Sequence, residues 1–443
     1  MKSVYRTLLL FCISNTIILT TKAQHNYDTI KVMSYNVLNY GFPATNSCPA
    51  LITANKHAWL RTILRYADPD IIGLEKMDAS PASFTSDSII AEVFDSVCAG
   101  CYGHTPYTNV SGYNKENMLY FKTAKFGWVS TTTIYSGDST ISDINLHTLF
   151  YKNALSHDTV FLNIILVHIA SGANSVSQRA TEITGAMDWL NTHITAPGNY
   201  IFMGDFNTQS SNESCFQQMI NSSDSNTVFT DVAGQLGDWN SNPNTFAHYL
   251  TQSTRTSDPG DCGAAGGLDD WFDHLLCTNP IMADTGNVNY VSNSFYVIGQ
   301  DGLHVNKSLL DAPTDTTVPA DVLNALYYMS EHLPVIMQLA IDKGADNATG
   351  IQPYTMAGVL QWQYSTVVTS QLWVEAKSGA MQGLTPQYNA CIYDLTGRLI
   401  HTSFINADAQ NILPVSDFAD GAYVLVISQN SIPVMKGKFI KIE

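Results

Sequence analysis

The chain has 443 residues, of which 45% are hydrophobic and 13% are charged, and its formal net charge is −17 at pH 7. The hydrophobic content argues against a disordered chain, and the acidic balance argues against a protein that holds nucleic acid by a broad basic face. Any phosphate chemistry must therefore take its positive charge from a metal or from a few local side chains.

The N-terminus predicts a secretory signal peptide at 1–23. Lys2 and Arg6 precede an apolar run at 8–19, and the small residue Ala23 stands at the expected cleavage position. The run is shorter than the ~20 apolar residues that a membrane span needs, and no later segment qualifies, so no stable span is expected. Removing the segment, with its three cations and no acid, would change the formal charge from −17 to −20.

Seven cysteines follow the predicted signal peptide. In an exported protein an even subset of them is expected to form disulfides. Cys98 and Cys101 have CxxC spacing, but a single pair without a thioredoxin-like context favours a local structural disulfide, or two separate bridges, over a zinc or redox site. Cys391 falls in what the pattern predicts to be a buried strand, and it is expected to be the odd free thiol.

Apolar runs alternate with helical patterns over the first three quarters of the chain. In chain order, the pattern predicts a strand at 30–37, a helix at 53–67, strands at 70–77, 117–121 and 160–169, a helix at 177–193, and strands at 200–203, 271–277 and 333–341. Mixed strands and helices over this length favour one large α/β sandwich domain at 24–341.

The composition changes after Ile341. Residues 342–358 begin with a polar, glycine-containing stretch that predicts a linker. Residues 359–443 then show short alternating stretches with turn residues and little helical pattern, which predicts a small all-β module.

Seven short motifs stand where strands of the large domain are predicted to end, which is where an α/β sandwich builds its site. A lone His168 would more often be a structural residue, and GDFN alone could be a type I turn. In chain order the motifs are MSYN at 33–36, IGLEK at 72–76, KENMLY at 115–120, LVH at 166–168, GDFNT at 204–208, WFDHL at 271–275 and SEHLPV at 330–335.

Together, these motifs resemble the endonuclease/exonuclease/phosphatase family, which includes deoxyribonuclease I, apurinic endonucleases, neutral sphingomyelinases and inositol phosphatases. The resemblance covers residues 30–341 and is sharpest at GDFNT and SEHLPV, and 113–117 is similar to the deoxyribonuclease I branch. It implies a four-layer α/β sandwich of two packed sheets flanked by helices, and metal-dependent cleavage of phosphoesters.

The resemblance and the chemistry of phosphodiester hydrolysis together suggest a role for each motif residue. The expected catalytic set is His332 as general base, Asp273 orienting its imidazole, His168 as the acid or phosphate contact, Glu116 holding His168, and Asp205 and Asn207 positioning the water and a phosphate oxygen. The expected metal ligands are Glu75, Asn36 and Glu331. Their hard oxygens suit Mg²⁺, with Mn²⁺ or Ca²⁺ as alternatives.

Two positions depart from the family pattern. A gapless alignment places Glu75 on the family's Gln and Lys76 on its metal-binding Glu. A regular strand would aim Lys76 into the site and Glu75 away from it, whereas a bulge could restore Glu75. Glu331 stands where the family usually has Asp, which keeps the charge on a longer arm.

The C-terminal segment is similar to the type IX secretion sorting domain of Bacteroidetes proteins. The resemblance rests on IYDLTGRL at 392–399, on DGAYVL at 420–425 and on the closing KGKFIKI at 436–442. It implies a small β-sandwich that is recognised by outer-membrane secretion machinery. An ordinary β-sandwich binding module is the alternative interpretation.

The expected function is that of a secreted or cell-surface, metal-dependent phosphodiesterase, an endonuclease with extracellular nucleic acid as a transient partner. A monomer is expected. Four local cations are expected to hold phosphates, namely Lys76, Lys115, Lys122 and Arg179. The alternatives are a phospholipid or sugar-phosphate phosphoesterase on the same fold, and a non-catalytic surface binding protein whose metal site Lys76 has degraded.

Overall fold

The computed structural model describes residues 27–79, 87–137, 139–152, 159–283, 285–343, 361–377, 387–394, 398–407, 409–429 and 432–442. The predicted signal peptide and residues 344–358 of the predicted linker lie outside these ranges. Within them, every helix is too short or too polar to cross a membrane.

The first part of the chain alternates strands and helices. The strands are β1 (Tyr27–Tyr40), β2 (Ile71–Asp78), β3 (Tyr102–His104), β4 (Lys115–Lys122), β5 (Phe126–Tyr135), β6 (Ile144–Tyr151), β7 (Phe161–His168), β8 (Tyr200–Asp205), β9 (Phe229–Asp231), β10 (Asp273–Thr278), β11 (Val288–Tyr290), β12 (Tyr296–Val297) and β13 (Val335–Asp342). The longer helices are α1 (Thr53–Ala67), α2 (Val176–His193), α3 (Ser214–Ile220) and α4 (Ala320–Met329).

These strands form two mixed sheets. Sheet I has the order β11-β13-β1-β2-β4-β3, with β12 also on β13, and sheet II has the order β5-β6-β7-β8-β10-β9. Each sheet contains one parallel pair, β1 with β2 in sheet I and β7 with β8 in sheet II. The strands that flank these pairs, including β13 beside β1 and β10 beside β8, are antiparallel to them.

The two sheets pack face to face, with β1 and β2 against β7 and β8. Successive residues 32–38 of β1 are all buried, so this strand is covered on both faces, as expected for a strand inside a layered sandwich. Helices α1 and α4 pack together outside sheet I, and α2 packs with α3 and on β5 outside sheet II. The predicted four-layer α/β sandwich is confirmed.

The C-terminal segment forms a separate β-sandwich. Its strands are β14 (Gln361–Tyr364), β15 (Val367–Val368), β16 (Gln371–Lys377), β17 (Gln387–Asp394), β18 (Leu399–Asn406), β19 (Asn411–Pro414), β20 (Gly421–Gln429) and β21 (Ile432–Lys441). They make a sheet of order β14-β16-β19 and a sheet of order β15-β21-β20-β17-β18. Leu372, Val374, Ile392, Leu425 and Phe439 share one buried core, which confirms the predicted all-β module.

Four cysteines are paired. Cys98 and Cys101 form a local disulfide, which is the first of the two predicted alternatives, and Cys48 is bonded to Cys262. The prediction that Cys391 is a free thiol is confirmed, but Cys215 and Cys277 are free as well, so the prediction that it is the odd one is wrong. Cys391 is also only half-buried, although its strand was predicted to be buried.

Candidate active site

The functional side chains meet at one edge of the sandwich. The carboxyl ends of the parallel strands carry Asn36 and Glu75 in sheet I and His168 and Asp205 in sheet II. The neighbouring antiparallel strands begin at the same edge, so Asp273 opens β10 and the segment 330–332 leads into β13. The topology therefore gathers residues that are far apart in the sequence.

Register places three polar side chains side by side in sheet II. Asp205 pairs with His168 on β7 and with Asp273 on β10. Gly204 permits this close approach, since its φ is +139° and a Cβ would lie 2.0 Å from the carbonyl oxygen of Val167. The glycine of the GDFN motif is therefore required by the backbone.

A carboxylate-histidine group forms the centre of the site. Nδ1 of His332 lies 2.7 Å from Oδ2 of Asp273, and Nε2 of His332 lies 3.6 Å from Oδ2 of Asp205. Asp205 accepts hydrogen bonds from the side-chain amide of Asn36 at 2.8 Å and from the backbone N–H of Asn207 at 2.9 Å. These side chains are between 0% and 6% exposed, so their positions are fixed by packing.

Hydrogen bonds hold the loop that carries His332 to the end of β1 and to the segment around Thr254. The Ser330 hydroxyl donates to the Asn36 carbonyl oxygen and accepts the N–H of His332. The Thr254 hydroxyl donates to the Ser330 carbonyl. Nε2 of His332 also contacts the side-chain amide of Gln252 at 2.7 Å. A half-turn of that amide lets it either donate to the imidazole or accept from the imidazolium.

The carboxylates determine where the proton lies. Burial disfavours the charged imidazole of His332, but Asp273, Asp205 and Glu331 outweigh it and raise its pKa to about 9. Burial raises the pKa of Asp205 to about 6, against the opposing pull of His332. At neutral pH His332 is therefore protonated and Asp205 is ionised. In this state the carboxylate of Asp205, and not the imidazole of His332, carries the unprotonated acceptor.

His168 lies on the other side of Asp205, with its Nε2 3.7 Å from Oδ2. Burial, together with Lys76, Lys115 and His332, lowers its pKa well below the usual range, so the imidazole is neutral. Its Nδ1 is buried without a hydrogen-bond partner among the described residues. Glu116 is buried in β4, and its role in holding His168 stays a prediction.

A bulge interrupts β2 at the position that departs from the family pattern. The β2–β4 ladder runs to Leu74 and resumes at Met77, and Lys76 has a φ of +62°. Glu75 lies between the sheets, where the Ser34 hydroxyl donates to it at 2.6 Å. Burial raises the pKa of Glu75 well above its ordinary value. The bulge thus turns Glu75 inward, to a buried position beside Ser34.

Lys76 instead reaches Glu331. Its Nζ lies 2.6 Å from Oε1 of Glu331, and the N–H of Ala264 donates to Oε2 at 2.8 Å. Burial opposes the ionisation of Glu331, but Lys76, His332 and these hydrogen bonds outweigh it and lower its pKa to about 2. Glu331 is therefore an ionised carboxylate already paired with an ammonium group.

Only two of the four predicted phosphate-holding cations lie at this edge. Lys76 and Lys115 both act electrostatically on His168. Lys122 is paired with Asp68 and Asp70 at the other end of β4. Arg179 is wholly buried on α2, where it pairs with Glu213. The prediction that Lys122 and Arg179 hold phosphates is wrong.

Each predicted metal ligand has a protein partner at one polar atom, and Oε2 of Glu75 and Oδ1 of Asp273 are buried without a hydrogen-bond partner among the described residues. Glu75 is hydrogen-bonded to Ser34, the amide of Asn36 donates to Asp205, and Glu331 is paired with Lys76. Ligand atoms of Asp205, Asp273 and His332 do lie within 4.8 Å of one another, which is close enough to share a cation. Asp273 and His332, however, already use Oδ2 and Nδ1 on each other.

Sequence reasoning missed Ser34 as a partner for Glu75 and Gln252 as a partner for His332. Ser34 lies in a predicted motif at the same strand end, so its polar side chain beside a strand-end acid was an available signal. Gln252 lies in an irregular loop that bridges to Asp270 and His332. No motif marks it.

Comparison with protein-family models agrees with the predicted resemblance of the C-terminal segment. Residues 368–442 match the model of the "Secretion system C-terminal sorting domain" family. No curated protein matches the sequence. This match indicates secretion, with a location at the cell surface or outside the cell.

Several solved structures are similar to the chain. The human Nocturnin catalytic domain is 13% identical over 72% of this chain and 98% of its own, with a TM-score of 0.41. TDP2 from C. elegans is 16% identical over 71% and 75%, with a TM-score of 0.42. An endonuclease/exonuclease/phosphatase family protein from Bacteroides thetaiotaomicron is 13% identical over 72% and 97%, also with a TM-score of 0.42.

Proposed function

We propose that the protein is a secreted phosphodiesterase that hydrolyses phosphodiester bonds of extracellular nucleic acid by attack of water. The observation that carries this proposal is the buried group of His332, Asp273 and Asp205, with His168 on the other side of Asp205. The motif resemblance supports it. The proposed site residues are His332, Asp273, Asp205, His168, Asn207 and Asn36, with Glu116 buried behind them.

The short distance between Asp205 and His332 supports a shared role for them at one reacting oxygen. In an in-line displacement the attacking and leaving oxygens lie on opposite sides of phosphorus. Two groups only 3.6 Å apart therefore act together on the attacking water, and Asp273 holds the imidazolium in place. Asp205 takes a proton from the water, the new O–P bond forms, the P–O bond to the leaving group breaks, and solvent protonates the leaving oxygen.

A substrate panel tests the proposal on the purified full chain. Supercoiled DNA, RNA, bis(p-nitrophenyl) phosphate, sphingomyelin vesicles and a sugar phosphate are incubated with chelator or with Mg²⁺, Mn²⁺ or Ca²⁺. The proposal expects hydrolysis of the nucleic acids and the small diester. Turnover confined to sphingomyelin or the sugar phosphate would show that the substrate is a phospholipid or a sugar phosphate and not a nucleic acid. Phosphate binding without turnover in any condition would make the protein a binding protein.

The pH profile of kcat/KM is expected to be bell-shaped. The active state needs Asp205 ionised and His332 protonated, so the rate should rise as the pH passes about 6 and fall as it passes about 9. These two values belong to the pair as a unit. A rate that keeps rising above pH 9 would instead identify neutral His332 as the base.

A further inference from the structure

The side chain beside the reacting centre is an ammonium group where the family resemblance leads one to expect a metal-binding carboxylate. We propose that Lys76, held by Glu331, is a catalytic residue that supplies the fixed positive charge on the phosphate, and that hydrolysis therefore needs no divalent cation. This inference rests on the proposed phosphodiesterase function and names the group that stabilises the transferring phosphoryl oxygens.

The backbone conformation that places Lys76 at the site is energetically unfavourable. A φ of +62° is unfavourable for a residue with a Cβ, and such a conformation persists only where the surrounding structure determines it. Here the bulge that contains it breaks the ladder between β2 and β4. Because of the bulge, Glu75 points between the sheets while Lys76 reaches Glu331.

Glu331 fixes the ammonium next to the attacking centre. Its Oε1 lies 2.6 Å from Nζ of Lys76 and 3.9 Å from Nε2 of His332. Gly263 leaves space for this carboxylate, since a Cβ there would lie 2.3 Å from Oε2. With Ala264 bonded to Oε2, the position of the carboxylate is set by the loop behind it.

The ammonium group retains donors for a substrate. Lys76 is 16% exposed, and within the described residues Glu331 is the hydrogen-bond partner of its Nζ. An ammonium carries three N–H donors, so two can reach non-bridging phosphate oxygens. Lys115 and neutral His168 lie within electrostatic range of it. Together these side chains form a local cationic site for one phosphate, although the chain as a whole is acidic.

A divalent cation and this ammonium would compete for the same carboxylate. A metal bound by Glu331 would have to displace Lys76 or tolerate a like charge beside it. The other predicted carboxylate, Glu75, accepts a hydrogen bond from Ser34 at Oε1, so only its Oε2 is without a partner among the described residues. The ammonium group of Lys76 withdraws charge from the non-bridging oxygens as the O–P bond to water forms and the bond to the leaving oxygen breaks.

The test measures metal binding and turnover separately on the full chain. The chain is stripped with chelator, Mn²⁺ binding is followed by calorimetry, and hydrolysis of bis(p-nitrophenyl) phosphate is measured in excess EDTA and in MnCl₂. The wild type is expected to bind no Mn²⁺ at the site and to have equal rates in both solutions. Lys76→Gln should lose about 10²- to 10³-fold in rate, whereas Lys122→Gln, an ion-paired lysine outside the site, should not.

Lys76→Glu gives the reciprocal result. It is expected to lose its rate in EDTA and to gain stoichiometric Mn²⁺ binding, because two buried carboxylates then face each other without a cation. If the wild type were active only with metal, the role of Lys76 would be overturned and the phosphodiesterase function would remain intact. The same would follow if Lys76→Gln hydrolysed the substrate at the wild-type rate. A wild type that is inactive in both solutions would overturn both proposals. The comparison of wild-type rates in EDTA and in MnCl₂ does not depend on the folding of any variant.

Discussion

Replacing His332 with alanine is expected to slow hydrolysis of a phosphodiester by about 10²- to 10⁴-fold, the range that a positioned acid-base group supplies. The imidazole is 1% exposed and contacts Asp273 at 2.7 Å and Asp205 at 3.6 Å. Its loss removes the charge that keeps Asp205 ionised and leaves the two carboxylates facing each other. The measurement is kcat/KM on bis(p-nitrophenyl) phosphate.

His193→Ala is the matched control for His332→Ala. His193 is exposed at the C-terminal end of α2, where it stacks on Trp189. It is not among the residues at the strand ends that form the site. The kcat/KM of His193→Ala should equal that of the wild type. Circular dichroism checks that both variants are folded. A folded His332→Ala protein with the wild-type rate would remove His332 from the reaction.

Replacing Arg255 with methionine is expected to lower the free energy of unfolding by about 3–5 kcal/mol, the cost of leaving a buried charge without its partner. Arg255 is wholly buried, pairs with Asp261, and donates to the Tyr327 carbonyl oxygen at 2.9 Å. Asp261 stands next to Cys262, in the loop that also holds Glu331 through Ala264. Urea unfolding followed by tryptophan fluorescence reports the change.

Arg398→Met supplies the comparison for Arg255→Met. Arg398 pairs with Asp394 on the surface and is 76% exposed, so its loss should change stability by no more than about 0.5 kcal/mol. Replacing Asp261 with asparagine in the Arg255→Met background should recover part of the lost stability. If Arg255→Met proved as stable as Arg398→Met, the buried pair would have no structural role.

Local patterns predicted much of the framework. The 3.6-residue spacing of buried Leu60, Ile63, Leu64 and Ala67 predicted α1 at its observed bounds, and the apolar runs predicted the central strands of both sheets. Strands β5 and β6 were missed. Polar residues interrupt both, with Ser130 and three threonines following in β5, so neither gives a continuous apolar run.

The site could be predicted as a set of residues but not as a network. Motif order identified His332, Asp273, Asp205 and His168, because strand ends on one edge must converge. The pairing of Lys76 with Glu331 depends on a bulge and on contacts between residues 255 positions apart. Arg179 was likewise misassigned because its partner, Glu213, is distant in sequence and immediately precedes α3. Long-range ion pairs leave no local pattern in the sequence.

Hydrolysis of bis(p-nitrophenyl) phosphate by the full chain in ¹⁸O-labelled water, followed by mass spectrometry of both products, tests the proposed reaction most directly. Attack of water at phosphorus predicts one ¹⁸O atom in the p-nitrophenyl phosphate, none in the p-nitrophenol, and formation of both products about 10²- to 10⁴-fold more slowly with His332→Ala. Label in the p-nitrophenol, or equal product from wild type and His332→Ala, would contradict the proposed site.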